Sequence, residues 1–341
     1  MASSFKTLTP NDRTSTKTLL HEAIPLTGTL VSGTYNDENI KTFSHGMFVS
    51  VYDYPYLSSS ANHIFDLTNG YPASSEFSGT EATTNQQNKK INIYNSLAQS
   101  LSGFDSTGSV QLFDEDGNFA AGGTKIDSAI FVNFSRLLNK DEIQKQTFSI
   151  QFFTASTYAS PTGLTTFSDV GAATDYKINS PAGEYGILYK DGVASAANRS
   201  GLIFYQAGVA VLTSSIFDDA TTFDVNGRSA SASFTGSSIN DFAGGVRARW
   251  HNCSFNNTTE LNSTIYFCRA LNGDFNYSAN PTYLTASKIF VKEQQEDLPT
   301  SYFTTVGLYS SDNELLAVAK LSEPIKKTPA NEVTLRVRLD Y

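Results

Sequence analysis

Residues 306–327 read "VGLYSSDNELLAVAKLSEPIKK", and this stretch decides the fold. Apolar and polar residues alternate, a polar turn interrupts them, and the alternation resumes. A period of two sends successive side chains to opposite faces of a strand. Residues 332–341, "EVTLRVRLDY", follow the same rule. Val333, Leu335, Val337 and Leu339 share one face, while Thr334, Arg336, Arg338 and Asp340 share the other. That is the pattern of a half-buried strand. No catalytic constellation lies among these pieces, so they predict a docking element. Its contact residues are Val306, Leu308, Tyr309, Leu316, Val318, Val337 and Leu339.

Working outward, six strand-like runs follow residue 247: "RARWHNCSFNN", "NSTIYFCRAL", "TASKIFVKEQQ", "SYFTTVGLYS", "NELLAVAKLS" and "EVTLRVRLDY". Turn residues separate them, which predicts an antiparallel meander or sandwich. Further upstream, "HGMFVSVYDYPYL", "AIFVNFSRLL" and "TFSIQFFTAS" read as strands. Residues 184–215 read as two apolar strands around a turn.

Composition agrees. Only 17% of the 341 residues are charged, and 24 Phe and 17 Tyr favour strands over exposed helices. The fold class is therefore mainly β, with one or two short helices. The clearer helix is "NKKINIYNSLAQSLSGFD", where Ile91, Tyr94, Leu97, Ala98 and Leu101 fall at helical spacing. Asn88 is its expected cap and Gly103 its expected end. A shorter helix is predicted over 139–147, with Asn139 as N-cap and Asp141 and Glu142 in its first turn.

Three segments are expected along the chain. Residues 1–20, rich in Ser and Thr, form an extended arm ordered against a neighbour. Residues 21–165 form a β-rich domain with the helix near 89–102, and residues 166–341 a second one ending in the meander. Residues 217–240 are low in complexity.

The net charge of −9 argues against wrapping nucleic acid. The N-terminus has no apolar signal segment, and no run is long enough to span a membrane as a helix. Cys253 and Cys268 are too few for a disulfide framework; they read as reduced thiols facing each other across a hairpin. "FDEDGNF" at 113–119 offers Asp114, Glu115, Asp116 and Asn118 as calcium-type oxygens. No later acid falls in register, and Asp-Gly is a favoured turn pair, so it reads as a turn. His21, His45, His63 and His251 show no zinc spacing. Neither a nucleophile elbow nor a phosphate loop occurs. No metal or cofactor is expected. Tyr52, Tyr54 and Tyr56 offer an aromatic surface for a sugar or a partner, or packing against a neighbouring sheet.

"LLHEAIPLTGT", "VYDYPYLSSSANHIFD", "KKINIYNSLAQSL", "SPAGEYGILY" and "SFNNTTELNSTIYFC" resemble a family of virion structural proteins of contractile-tailed, marine cyanophage-like phages. The opening stretch with "EVTLRVRLDY" is similar to a small β-module of phage tail-collar fibre proteins, matched here by Gly307, Leu308, Tyr309, Leu316, Ala317, Val318 and Val337. The turn "SSDN" departs from the usual Asp-Gly of that module. The resemblance implies a non-enzymatic virion subunit, assembled in the host bacterial cytoplasm, homo-oligomeric and bound to other virion proteins such as a fibre or baseplate. It would sit in the tail, baseplate or neck. A receptor- or glycan-binding fibre component and a capsid decoration or vertex protein are the alternatives.

Overall fold

The structure is a computed structural model. It describes residues 5–22, 39–59, 61–78, 85–119, 122–135, 138, 141–157, 160, 162–278, 280–286, 288–289 and 292–341. Among the described residues it is mainly β, with 40% strand, 18% helix and three helices, and its large sheets are antiparallel. The chain divides into two compact units, Leu20–Thr259 and a second made of Met1–Leu19 with Glu260–Tyr341.

The larger unit holds an eleven-stranded sheet. Its strands, in chain order, are β2 (Ile40–Thr42), β3 (Val49–Tyr52), β4 (His63–Gly70), β5 (Ala129–Asn133), β7 (Ser149–Phe153), β8 (Leu164–Ser168), β9 (Lys177–Asn179), β10 (Gly183–Lys190), β11 (Arg199–Phe204), β12 (Val209–Thr213) and β13 (Trp250–Ser254). They lie in the order β13-β7-β8-β10-β11-β12-β5-β4-β3-β2, with β9 beside β10. Helices α1 (Asn85–Leu101), α2 (Ala230–Gly236) and α3 (Ile239–Arg249) belong to the same unit.

The central strands are buried on both faces, which is why they read as continuous apolar runs rather than alternating ones. On β5, Ile130 and Val132 enter one core while Ala129 and Phe131 enter the other. The α1 residues Ile93, Tyr94, Ala98 and Leu101 cover the second core. The first contains Phe234 of α2 and Phe242 and Val246 of α3. Trp250 of β13 stacks on Phe65 of β4 at 4.1 Å between ring centroids. These strands are far apart in the sheet order, so the sheet rolls around this core.

Several expectations change here. The boundary expected near residue 165 falls within the sheet, since β8 pairs with β7 on one side and β10 on the other. The short helix over 139–147 is absent from its described part. Glu142 and Ile143 form β6, paired with Thr258 and Asn257, and Ile143 is fully buried. A buried pairing partner outweighs helix propensity at such a short segment. Asn139 lies outside the described residues. Residues 184–215 hold three strands rather than two, because Gly208 at φ +64° turns β11 into β12. The segment 217–240 is partly helical: the Ser229 hydroxyl caps α2 and the Ser238 hydroxyl caps α3. α1 begins at Asn85, so Asn88 lies inside it, and Gly103 ends it at φ +85°.

The smaller unit contains β1 (Arg13–Glu22) as far as Leu19, β14 (Asn257–Ala270) from Glu260 onward, β15 (Leu284–Thr285), β16 (Lys288–Ile289), β17 (Ser301–Tyr309), β18 (Leu315–Lys327) and β19 (Val333–Asp340). β14 lies between β1 and β19, and its register with β19 runs from Ser263↔Asp340 to Ala270↔Val333. Within the region expected to be an arm, Pro10–Asp12 is a 3-10 turn and residues 13–22 form β1, which pairs with β14 of the same chain. Side-chain contacts add to that ladder: Ser15 to Thr264 at 3.2 Å and Lys17 to Glu260 at 2.6 Å. The six C-terminal runs all contribute strands, yet they enter different sheets: β13 pairs with β7, β14 with β19, and β17 with β18. Cys253 on β13 and Cys268 on β14 therefore do not face each other across a hairpin; both thiols are free.

Candidate docking surface

Among the described residues β17 and β18 form a two-stranded sheet. Thr305 to Tyr309 pair with Lys320 to Leu315 near the tip, and Ser301 to Phe303 pair with Lys327 to Ile325 at the root. Between these blocks β18 carries residues 321–324 against the single residue Thr304, a bulge that places Pro324 where no ladder N–H is needed. The tip turn has no glycine. Asn313 takes the left-handed conformation at φ +63°, and the Ser310 hydroxyl accepts from the backbone N–H groups of Asp312 and Glu314, each at 3.2 Å. Asn tolerates that conformation because its side chain is short and polar.

The two faces of this ribbon differ. Val306 and Leu308 lie on one side, opposite Ala319 and Ala317, and Leu308 is buried. On the other side the Tyr309 ring lies over Gly307, where a Cβ would come within 2.9 Å of it. Tyr309, Leu315 and Val318 are about half exposed at 45%, 52% and 52%, and Leu316 reaches 67%. Phe5 packs edge-on against Tyr309 at 4.8 Å. Lys6, the next residue, pairs with Asp274. Hydrogen bonds from Lys6 and from the Leu271 N–H hold the Asp274 carboxyl below its usual range.

The root is anchored by polar contacts. Lys327 is fully buried, and its ammonium donates to Asn276 Oδ1 at 2.8 Å, Thr328 O at 2.9 Å and Asn272 O at 3.2 Å. Ser301, its cross-strand partner, donates to Phe275 O, and the rings of Phe275 and Phe303 meet edge-on at 6.0 Å.

Of the seven docking residues expected from sequence, five share this ribbon and two do not. Val337 and Leu339 belong to β19, and Val337 is buried. Leu308 is also buried, so it supports the ribbon rather than offering contact. Sequence reasoning missed Leu315 and Phe5 on the exposed side, and the Lys327 anchor. The alternation of "NELLAVAK" included Leu315, but nothing in the pattern marks a lysine as buried. Of the three tyrosines, Tyr52 and Tyr56 meet at 6.3 Å and Tyr52 meets His63 at 5.5 Å, while Tyr54 is 51% exposed.

Elsewhere, "FDEDGNF" is a turn with Asp114 bonded to Lys125 at 2.5 Å and Gly117 at φ +70°. Among the described residues no helix is long and apolar enough to cross a membrane. No protein family, curated protein or solved structure matches the chain.

Proposed function

We propose that this chain is a non-enzymatic structural subunit that works by docking neighbouring proteins, in the tail, baseplate or neck of a tailed phage. One observation carries the docking reading: a two-stranded ribbon presents Tyr309, Leu315, Leu316 and Val318 to solvent. A lone two-stranded ribbon is marginal in water, and a cluster of exposed apolar side chains marks an interaction surface. The ribbon also keeps unpaired outer edges among the described residues, so a partner strand can add to it. The phage setting rests on the resemblance of the quoted segments to virion proteins. Cross-linking mass spectrometry on purified particles that encode the chain tests both parts. The expected result is cross-links from Lys320 or Lys326 to another virion protein. A chain absent from the particles, or cross-linked only outside the ribbon, overturns the reading.

A further inference from the structure

The larger unit contains a concavity of about 530 Å³ that plays no part in the docking reading. Four carboxylates line it: Glu76, Glu115, Asp127 and Asp218. They come from separate elements. Glu76 lies on the turn after β4, Glu115 and Asp127 flank the Asp114–Lys125 bridge, and Asp218 follows β12. Lys125 is the only base among the described lining residues, and Asp114 already neutralises it.

Two hydroxyls sharpen the picture. Ser128 and Ser214 are 7% and 4% exposed, and both line the cavity. The Ser214 N–H donates to Ser128 O at 2.8 Å, which holds the two side by side. Neither hydroxyl has a hydrogen-bond partner among the described residues. Neither hydroxyl oxygen is sealed off; both are open to the cavity and free to bond what enters it. Phe77 adds an aromatic side chain to the wall.

Burial raises the carboxyls of Glu115, Asp127 and Asp218, and a neighbouring acid raises each further: Asp114, Glu76 and Asp219 respectively; Arg199 near Glu115 and Lys125 near Asp127 offset part of this. The cavity therefore holds negative charge at a cost that an incoming cation relieves. Every lining group just named except Lys125 can accept an N–H bond or face a cation. A metal ion fits poorly, since among the described residues no three His, Cys, Asp or Glu side chains are grouped to hold one.

We infer that this cavity binds a primary ammonium or guanidinium group, carried by a free polyamine or by a Lys or Arg side chain of another protein. Titration calorimetry on the full chain at low salt tests it with two probes, spermidine and the tripeptide Gly-Arg-Gly with blocked ends. At least one binds saturably, and the one that binds names the source. The double variant Asp127→Asn/Asp218→Asn weakens that binding ~10-fold or more. Asp191→Asn, an exposed acid outside the cavity, leaves it unchanged. Thermal unfolding confirms that both variants fold. No saturable heat from either probe at millimolar concentration overturns the inference. So does equal weakening by both variants, which is the signature of unspecific attraction to a chain of charge −9.

Discussion

Lys327 Nζ lies 2.8 Å from Asn276 Oδ1, and this contact fixes the root of the ribbon to the loop after β14. Three neutral oxygens bond the Lys327 ammonium, and the Asp274 carboxylate acts on it at longer range. Neutral oxygens can hold a buried ammonium only where they converge on it, as they do here.

Lys327→Met removes the ammonium and leaves the Asn276 amide and two carbonyls short of a donor. The expected loss is ~2–4 kcal/mol. Urea unfolding gives the number. Hydrogen exchange gives the location: amides of Ser301 to Phe303 lose protection first. Unchanged stability contradicts the anchoring role.

The ribbon's two faces predict opposite responses. Leu316→Lys with Val318→Lys changes exposed positions, so stability stays within ~0.5 kcal/mol of the parent. Cross-linking through the ribbon is lost, as is any self-association that uses it. Leu308→Ala removes a buried side chain and costs ~2–4 kcal/mol in unfolding. Sedimentation velocity and thermal unfolding on the same samples separate the two effects. Retained association in the double Lys variant refutes the docking surface.

How much of this was legible depends on what each signal specifies. Alternation and helical spacing are local, and they located β17 to β19 and α1. They do not choose a partner, so six consecutive runs looked like one meander although β13 joins β7 and β19 joins β14. Ser-rich residues 229–240 looked like a loop because Ser serves both turns and helix caps. Here Ser229 and Ser238 cap, with Phe234, Phe242 and Val246 supplying the buried side. The helix expected over 139–147 failed for the opposite reason. Its local signals were sound, but Ile143 is fully buried in a strand pair. The docking face was partly legible because alternation marks two faces without saying which is covered. The acid-lined cavity gathers residues from four separated segments, a juxtaposition no spacing rule contains.

Gly70 shows where packing tolerates no side chain. A Cβ there would lie 2.5 Å from Lys90 O and 3.0 Å from Tyr94 N, so β4 meets the α1 backbone directly. Gly70→Ala must displace the helix, and the expected cost is ~1–3 kcal/mol. Gly273→Ala is the control, since nothing lies within 4 Å of its Cβ position. Its effect stays within ~0.5 kcal/mol. Equal midpoints for the two variants in denaturant contradict the close approach.

Asp169 links stability to pH. It is 1% exposed and accepts from Gln146 N at 2.8 Å, Tyr205 OH at 3.0 Å and Phe148 N at 3.1 Å. Those contacts hold Gln146 in the left-handed region at φ +64°. Burial pushes the carboxyl up from 3.8 to about 6, outweighing the three donors that favour its charged form. Between those values the folded chain binds a proton that the unfolded chain has released. The stabilising contribution is therefore complete below pH 3.8 and lost as pH rises through about 6. From pH 5 to pH 7 the parent should lose ~1–1.5 kcal/mol at this site. Asp169→Asn cannot titrate, so its stability over the same range lacks that fall. It is less stable at both ends, because an amide NH₂ placed against any of the three donors breaks a bond. The decisive quantity is the difference between the two urea-unfolding curves at pH 5 and pH 7, which cancels every other titrating group. A constant difference places the Asp169 proton outside this window and sinks the assignment.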